Sequence, residues 1–159
     1  MSTAANAKGP PPLKPFGLKL HHDGRFTHDG QPIAHQKLRE HFDRSVEYLR
    51  AEAKYIVRLK HFRGEIEVQE AAFFVREIDM MTGEVRLSDG SQEILDVSTL
   101  SASPVDGALL CRIKKEIVAA GLPARFTHAA QADFLQAIEE GDSGYVVSIG
   151  GGKQSCPDF

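Results

Sequence analysis

Four residues occur twice in this chain, Arg25–Phe26–Thr27–His28 and Arg125–Phe126–Thr127–His128, each with a Gln three positions on, Gln31 and Gln131. Their surroundings constrain the fold more than the identity itself. Each copy follows a strand-and-turn pattern and leads into apolar residues at helical spacing. Each helix is then followed by a strand that opens on tyrosine, Tyr55–Ile56–Val57 in the first copy and Tyr145–Val146–Val147 in the second. The reading is an α+β chain of two ββαβ-like units, an internal duplication, joined by an antiparallel β-rich middle. With 159 residues the chain buries about two-thirds of its unfolded surface, enough for a core without disulfides or metal.

In the first unit, Leu18–Lys19–Leu20 and Arg25–Phe26–Thr27 flank Asp23–Gly24, a two-residue hairpin signal, and Asp29–Gly30 marks a second turn. Pro32 then leads into a helix on which Leu38, Phe42, Val46 and Leu49 share a face. Tyr55 to Leu59 reads as the closing strand. In the middle, Glu65 to Val68, Phe73 to Ile78, Val85 to Leu87 and Ile94–Leu95 read as strands, with Met81–Thr82–Gly83 and Asp89–Gly90 as turns. Leu109 to Ile113 and Glu116 to Ala119 follow as further strands. In the second unit Thr127 stands where a helix N-cap belongs, with Ala130, Phe134, Ala137 and Ile138 on one face. The expected organisation is a mobile Pro-rich tail over 1–16, an N-terminal unit over 17–70, a β-rich unit with one helix over 71–152, and a tail over 153–159.

Composition excludes several classes. Apolar residues are 42% and charged residues 26%, too apolar for a disordered chain, and a net charge of −3 speaks against a basic nucleic-acid binder. No run approaches the 18 apolar residues of a membrane span, and the opening residues lack the pattern of a signal peptide. Two cysteines are too few for a secreted disulfide framework, and Cys111 in an apolar run reads as a buried small side chain. A cytoplasmic protein is the expectation.

Three stretches resemble DUF1285, a family of uncharacterised bacterial proteins. His22–Asp23–Gly24–Arg25–Phe26–Thr27–His28–Asp29–Gly30–Gln31–Pro32–Ile33 is similar to its opening, Glu65 to Phe73 to its stretch ending Val-Glu-Asp-Ala-Pro-Phe, and Gly121–Leu122–Pro123–Ala124–Arg125 to its Gly-Leu-x-Ala-Arg segment. The resemblance spans roughly Leu18 to Gly151. Where the family usually has Trp this chain has Phe26, and Ala72 replaces the Pro, which marks a divergent or shortened member. The resemblance implies an α+β protein of two repeated units with a cleft between them and a role in ligand binding or signal transduction.

Seven histidines invite a metal site, but no compact ligand spacing occurs, and His35 and His41 fall on different helical faces. No metal and no cofactor is expected. No serine sits in G-x-S-x-G, and Gly150–Gly151–Gly152–Lys153 departs from a phosphate loop and reads as a flexible exit. No catalytic residue is assigned, and an enzyme is the less favoured class.

Charge says more. From Lys37 to Arg63 eight basic residues meet four acidic ones, and from Gly64 to Leu110 two basic residues meet ten acidic ones. Within the basic stretch, alternation puts Arg58, Lys60 and Phe62 on one strand face, suited to a phosphate or carboxylate beside an apolar group. The reading is a non-catalytic binding module, regulatory or signalling, that takes a small anionic ligand or an acidic protein partner in the groove between the units. Its site residues are His28, Arg58, Lys60, His61 and Arg63. The alternatives are a small enzyme with His28 or His128 as general base, and an assembly protein that pairs through exposed strand edges, homo-oligomers included.

Overall fold

The computed structural model describes residues 13–58 and 63–159, with the backbone alone for 13–16. The first sheet holds β1 (Leu13–Leu20), β2 (Phe26–His28), β3 (Gln31–Pro32), β4 (Val46–Leu49), β5 (Lys54–Arg58) and β6 (Arg63–Val68), with helix α1 (Gln36–Ser45) between β3 and β4. The second holds β7 (Phe73–Ile78), β8 (Glu84–Leu87), β9 (Gln92–Ile94), β10 (Ser101–Ala102), β11 (Leu109–Ile113) and β12 (Leu122–Phe126), with a 3₁₀ turn (Val97–Thr99) between β9 and β10. Helix α2 (His128–Gln136) follows. A three-stranded sheet of β13 (Ile138–Gly141), β14 (Gly144–Ile149) and β15 (Gly152–Ser155) completes the chain.

The first sheet runs β3-β2-β1-β6-β5-β4, and the second runs β9-β8-β7-β12-β11-β10. Counted from the first strand of each, the order is the same: third, second, first, sixth, fifth, fourth. In both, the central pair is parallel (β1 with β6, β7 with β12) and every outer pair is antiparallel. The same turn closes corresponding hairpins. Gly30 (φ +83°) lies between β2 and β3, and Gly90 (φ +89°) lies between β8 and β9. Each follows an Asp and supplies the left-handed backbone that a side chain resists.

The topological repeat is therefore out of phase with the repeated tetrapeptide. Phe26 to His28 forms the second strand of the first sheet, whereas Arg125–Phe126 ends the sixth strand of the second. Thr127 caps α2 by accepting from Ala130 N at 3.3 Å, but Thr27 stays within β2 and bonds His21 Nε2 at 2.9 Å. What the copies share is the phenylalanine: Phe26 packs on Phe42 of α1 with centroids 5.5 Å apart, and Phe126 on Phe134 of α2 at 5.9 Å.

Several local expectations are corrected. Helix α1 stops at Ser45, since Val46 and Tyr48 alternate with Glu47 and pair with Val57 and Tyr55. Val46 is buried in either geometry, so helical and strand spacing compete there. Residues 116–119 form a turn in which Ile117 N and Gly121 N donate to Lys114 O and Val118 O. Leu122 to Phe126 is a strand despite Pro123. Opposite it, Arg112 sends its N–H to Thr99 Oγ1, and the ladder to β7 begins only at Ala124, so no neighbour needs a proton from Pro123. The Asp23–Gly24 turn is longer than two residues, with His21 N donating to Arg25 O. Residues 13–16, read as tail, belong to β1, and 153–155 belong to β15. Gly150 and Gly151 make a hairpin rather than a loose exit. Residues 1–12 lie outside the described residues.

One apolar cluster spans all three sheets. It runs from Leu18, Leu20, Phe26 and Phe42 through Phe73, Val75, Val85 and Phe126 to Phe134, Val147 and Ile149. Cys111 is buried within it, as expected, and desolvation pushes its thiol up to about 12. No helix among the described residues is long and apolar enough to cross a membrane.

Candidate functional site

The two six-stranded sheets meet along a seam. Residues 69–72 cross it directly, and the crossing is tied down where Gln69 N donates to Leu20 O and His22 N donates to the Gln69 side chain at 2.9 Å. Beneath the crossing lies an ionic cluster, enclosed at Arg125 and Glu70 and open to water at Asp106. Arg125, 7% exposed, donates to Glu70 Oε1 at 3.0 Å and to both carboxylate oxygens of Asp106, and Ser103 Oγ donates to Glu70. These hydrogen bonds from Arg125 hold the Asp106 carboxyl down to about 2. Every arm of the guanidinium that faces the interior is spoken for, so this cluster locks the seam and does not await a ligand.

Outside the lock the seam opens as a cleft with two lobes that share Asp23, Phe74 and Thr127. One lobe, about 290 Å³, is lined by Gln36, Arg39, Glu40 and Asp43 of α1 and by Arg76 of β7. The other, about 260 Å³, is lined by Asp106, Arg125, His128 and Gln131. Helix α1 is set here by His35, whose side chain accepts from Leu38 N, and by Phe42, which anchors its buried face. That leaves Arg39 and Asp43, four residues apart, on the side towards β7. Arg76 reaches across to Asp43 at 2.7 Å, so one ion pair joins α1 to the second sheet. Burial nevertheless pushes the Asp43 carboxyl up to about 6, against the pull of Arg76 and Arg39. Arg39 forms no ion pair with another described residue.

A larger open groove of about 990 Å³ crosses the outer face of the first sheet. Its charges answer one another across the strands: Lys19 to Glu67 at 3.1 Å and Lys54 to Glu65 at 3.2 Å. This face is a ladder of exposed pairs with no converging charge of one sign.

The five residues marked by the sequence are distributed as follows. Arg58 ends β5 and is engaged by both carboxylate oxygens of Glu47 on β4. Arg63 opens β6 directly opposite Arg58. His28 ends β2, 3.7 Å from Asp29 with both side chains exposed, and three strand spacings, roughly 14 Å, separate β2 from β5. The structure thus brings Arg58 and Arg63 together and leaves His28 apart. Lys60 and His61 lie outside the described residues. Arg39, Asp43, Phe74 and Arg76 were not singled out. The available signal was Arg76, one of only two basic residues in the acidic middle. No group of three metal-ligating side chains converges among the described residues.

No family model matches the chain, and no curated protein matches it. Among solved structures, a DUF1285 family protein from Silicibacter pomeroyi DSS-3 superposes with a TM-score of 0.63 at 16% identity, over 94% of this chain and 90% of that one. A second DUF1285 family protein, from Shewanella baltica OS155, gives 0.52 at 13% identity, over 76% of this chain and 91% of that one. The chain has the DUF1285 fold. The three sequence stretches that resemble DUF1285 lie along the seam: the β1–β2 turn at the cleft, the crossing that carries Glu70, and β12 with Arg125. At this identity the likeness is one of fold, and it extends over 90% of the first neighbour's length.

Proposed function

We propose that this DUF1285-fold chain is a non-catalytic, cytosolic binding module that takes a small anionic ligand, or the acidic side chains of a partner, in the seam cleft. The carrying observation is that Arg39 of α1 and Arg76 of β7 line one lobe together with Phe74. An incoming phosphate or carboxylate would meet Arg39 directly and compete with Asp43 for Arg76. Because burial disfavours the ionised Asp43 carboxyl, holding it up at about 6, exchanging it for a ligand anion costs less than breaking an ordinary ion pair. The shared strand order supports the further reading that the two sheets arose by duplication, with the recognition site at the join. The free thiols of Cys111 and Cys156 fit a reducing compartment.

The test is a titration of the ¹⁵N-labelled protein with inorganic phosphate and with a short polyglutamate peptide. Amide signals of α1 and of β7 around Arg76 should shift together and saturate, and Arg39→Ala with Arg76→Ala should abolish the shifts. Signals that stay still in the parent protein, or move equally in the double variant, defeat the proposal.

A further inference from the structure

Away from the seam, α2 and the three-stranded sheet carry a second surface with different chemistry. Seven large apolar side chains are exposed among the described residues, and three of them, Leu135, Tyr145 and Phe159, surround one hollow of about 340 Å³. Ile138 and Pro157 complete its wall. The others, Leu38, Met81, Ile94 and Val105, lie elsewhere, as single exposed apolar residues ordinarily do. Here the gathering has a structural cause. Tyr145 shares a face of β14 with the fully buried Val147, and Ile138 pairs directly with Val147. The inner apolar face of the small sheet therefore runs out past the end of the core, and Leu135 of α2 extends it.

The rim of this hollow is acidic. Over residues 128–159 five carboxylates, Asp133, Glu139, Glu140, Asp142 and Asp158, meet one cation, Lys153, which faces Glu139 at 3.6 Å. Glu140 stands directly opposite Tyr145 in the β13–β14 register. An apolar hollow with Asp158 in its wall and Glu140 at its edge repels a second copy of itself and attracts a segment of opposite character.

We propose that this surface docks a basic segment of a partner protein, with one or two apolar or aromatic side chains seated among Leu135, Tyr145 and Phe159 and lysines or arginines set against Glu140 and Asp158. The apolar anchor supplies most of the affinity, and the acidic rim supplies the choice of partner.

The probe is a fluorescein-labelled 14-residue amphipathic peptide of leucine and lysine, followed by fluorescence anisotropy. Controls replace all its leucines by glutamine or all its lysines by glutamate. The parent protein should bind the leucine–lysine peptide and neither control. Leu135→Ser with Tyr145→Ser should weaken binding about tenfold. Glu140→Gln with Asp158→Asn should also weaken it and flatten its salt dependence. The second variant alters only exposed charges, so it decides the matter if the first fails to fold. Equal affinity in both variants overturns the proposal, as does no binding by about 100 μM peptide, a free energy near −5 kcal/mol. So does concentration-dependent dimerisation in sedimentation that Leu135→Ser with Tyr145→Ser removes, since that outcome assigns the surface to a second copy.

Discussion

The two six-stranded sheets thread their strands in the same order, yet among the described residues only the second encloses ion pairs, beside an Arg86–Glu77 pair that stands in water like those of the first. On the first sheet, Lys19–Glu67, Lys54–Glu65 and Arg58–Glu47 stand on the outer face in water. On the second, Arg125 with Glu70 and Lys114 with Asp89 are mostly or wholly enclosed; Lys114 also lies 5.1 Å from the ring centroid of Phe73. The same topology therefore tolerates either arrangement, and what differs is position relative to the seam. Exposed pairs trade water for a partner of similar strength and gain little. Enclosed pairs have lost their water, so each partner depends on the other.

The sharpest way to break this contrast is Arg125→Met. It strands Glu70 without water or cation and should cost about 3–5 kcal/mol in chemical denaturation. Arg58→Met, a same-type change on the first sheet, should cost under about 1 kcal/mol. Equal losses would mean that burial does not separate the two sheets.

Asp43, at the seam itself, gives the next largest effect. Its folded carboxyl titrates near 6, above its ordinary 3.8, so between those values the folded chain holds a proton that the unfolded chain has released. Stability from this group is therefore full below about 4 and falls as pH rises to about 6, by roughly 3 kcal/mol at most. Asp43→Asn should remove that slope in denaturant midpoints measured from pH 4 to 7. Asp106 works with the opposite sign: held near 2 by Arg125, it contributes stability at neutral pH that disappears as pH falls through the acid range.

The smallest effect tests the likeness of the sheets. Gly30 and Gly90 occupy corresponding turns with positive φ, and neither has an atom within 4 Å of where a Cβ would sit. Gly30→Ala and Gly90→Ala should each cost about 1 kcal/mol from backbone strain alone. A twofold difference in melting-temperature loss would show that the turns are not equivalent.

Much of this architecture was legible in the residues. Phe73 to Val75 announced a central strand because it is buried on both faces, and Thr127 announced a cap because its hydroxyl has a defined task. The phase of the repeat was hidden. Identical tetrapeptides drew the eye, whereas the true correspondence is one of strand order, carried by unlike residues such as Phe26 and Val85. The cleft was hidden for a related reason. Arg39 and Asp43 lie more than thirty residues from Arg76, and only the crossing at 69–72 brings them face to face.

Each sheet's central pair joins the first strand of its half to the last. During vectorial synthesis the earlier half can close only when β6 has left the ribosome, yet by then it needs nothing from β7 onwards for its strand ladder. The later half repeats the wait until β12 is out, so the chain matures in two successive long-range closures, a slow route for a protein of this size.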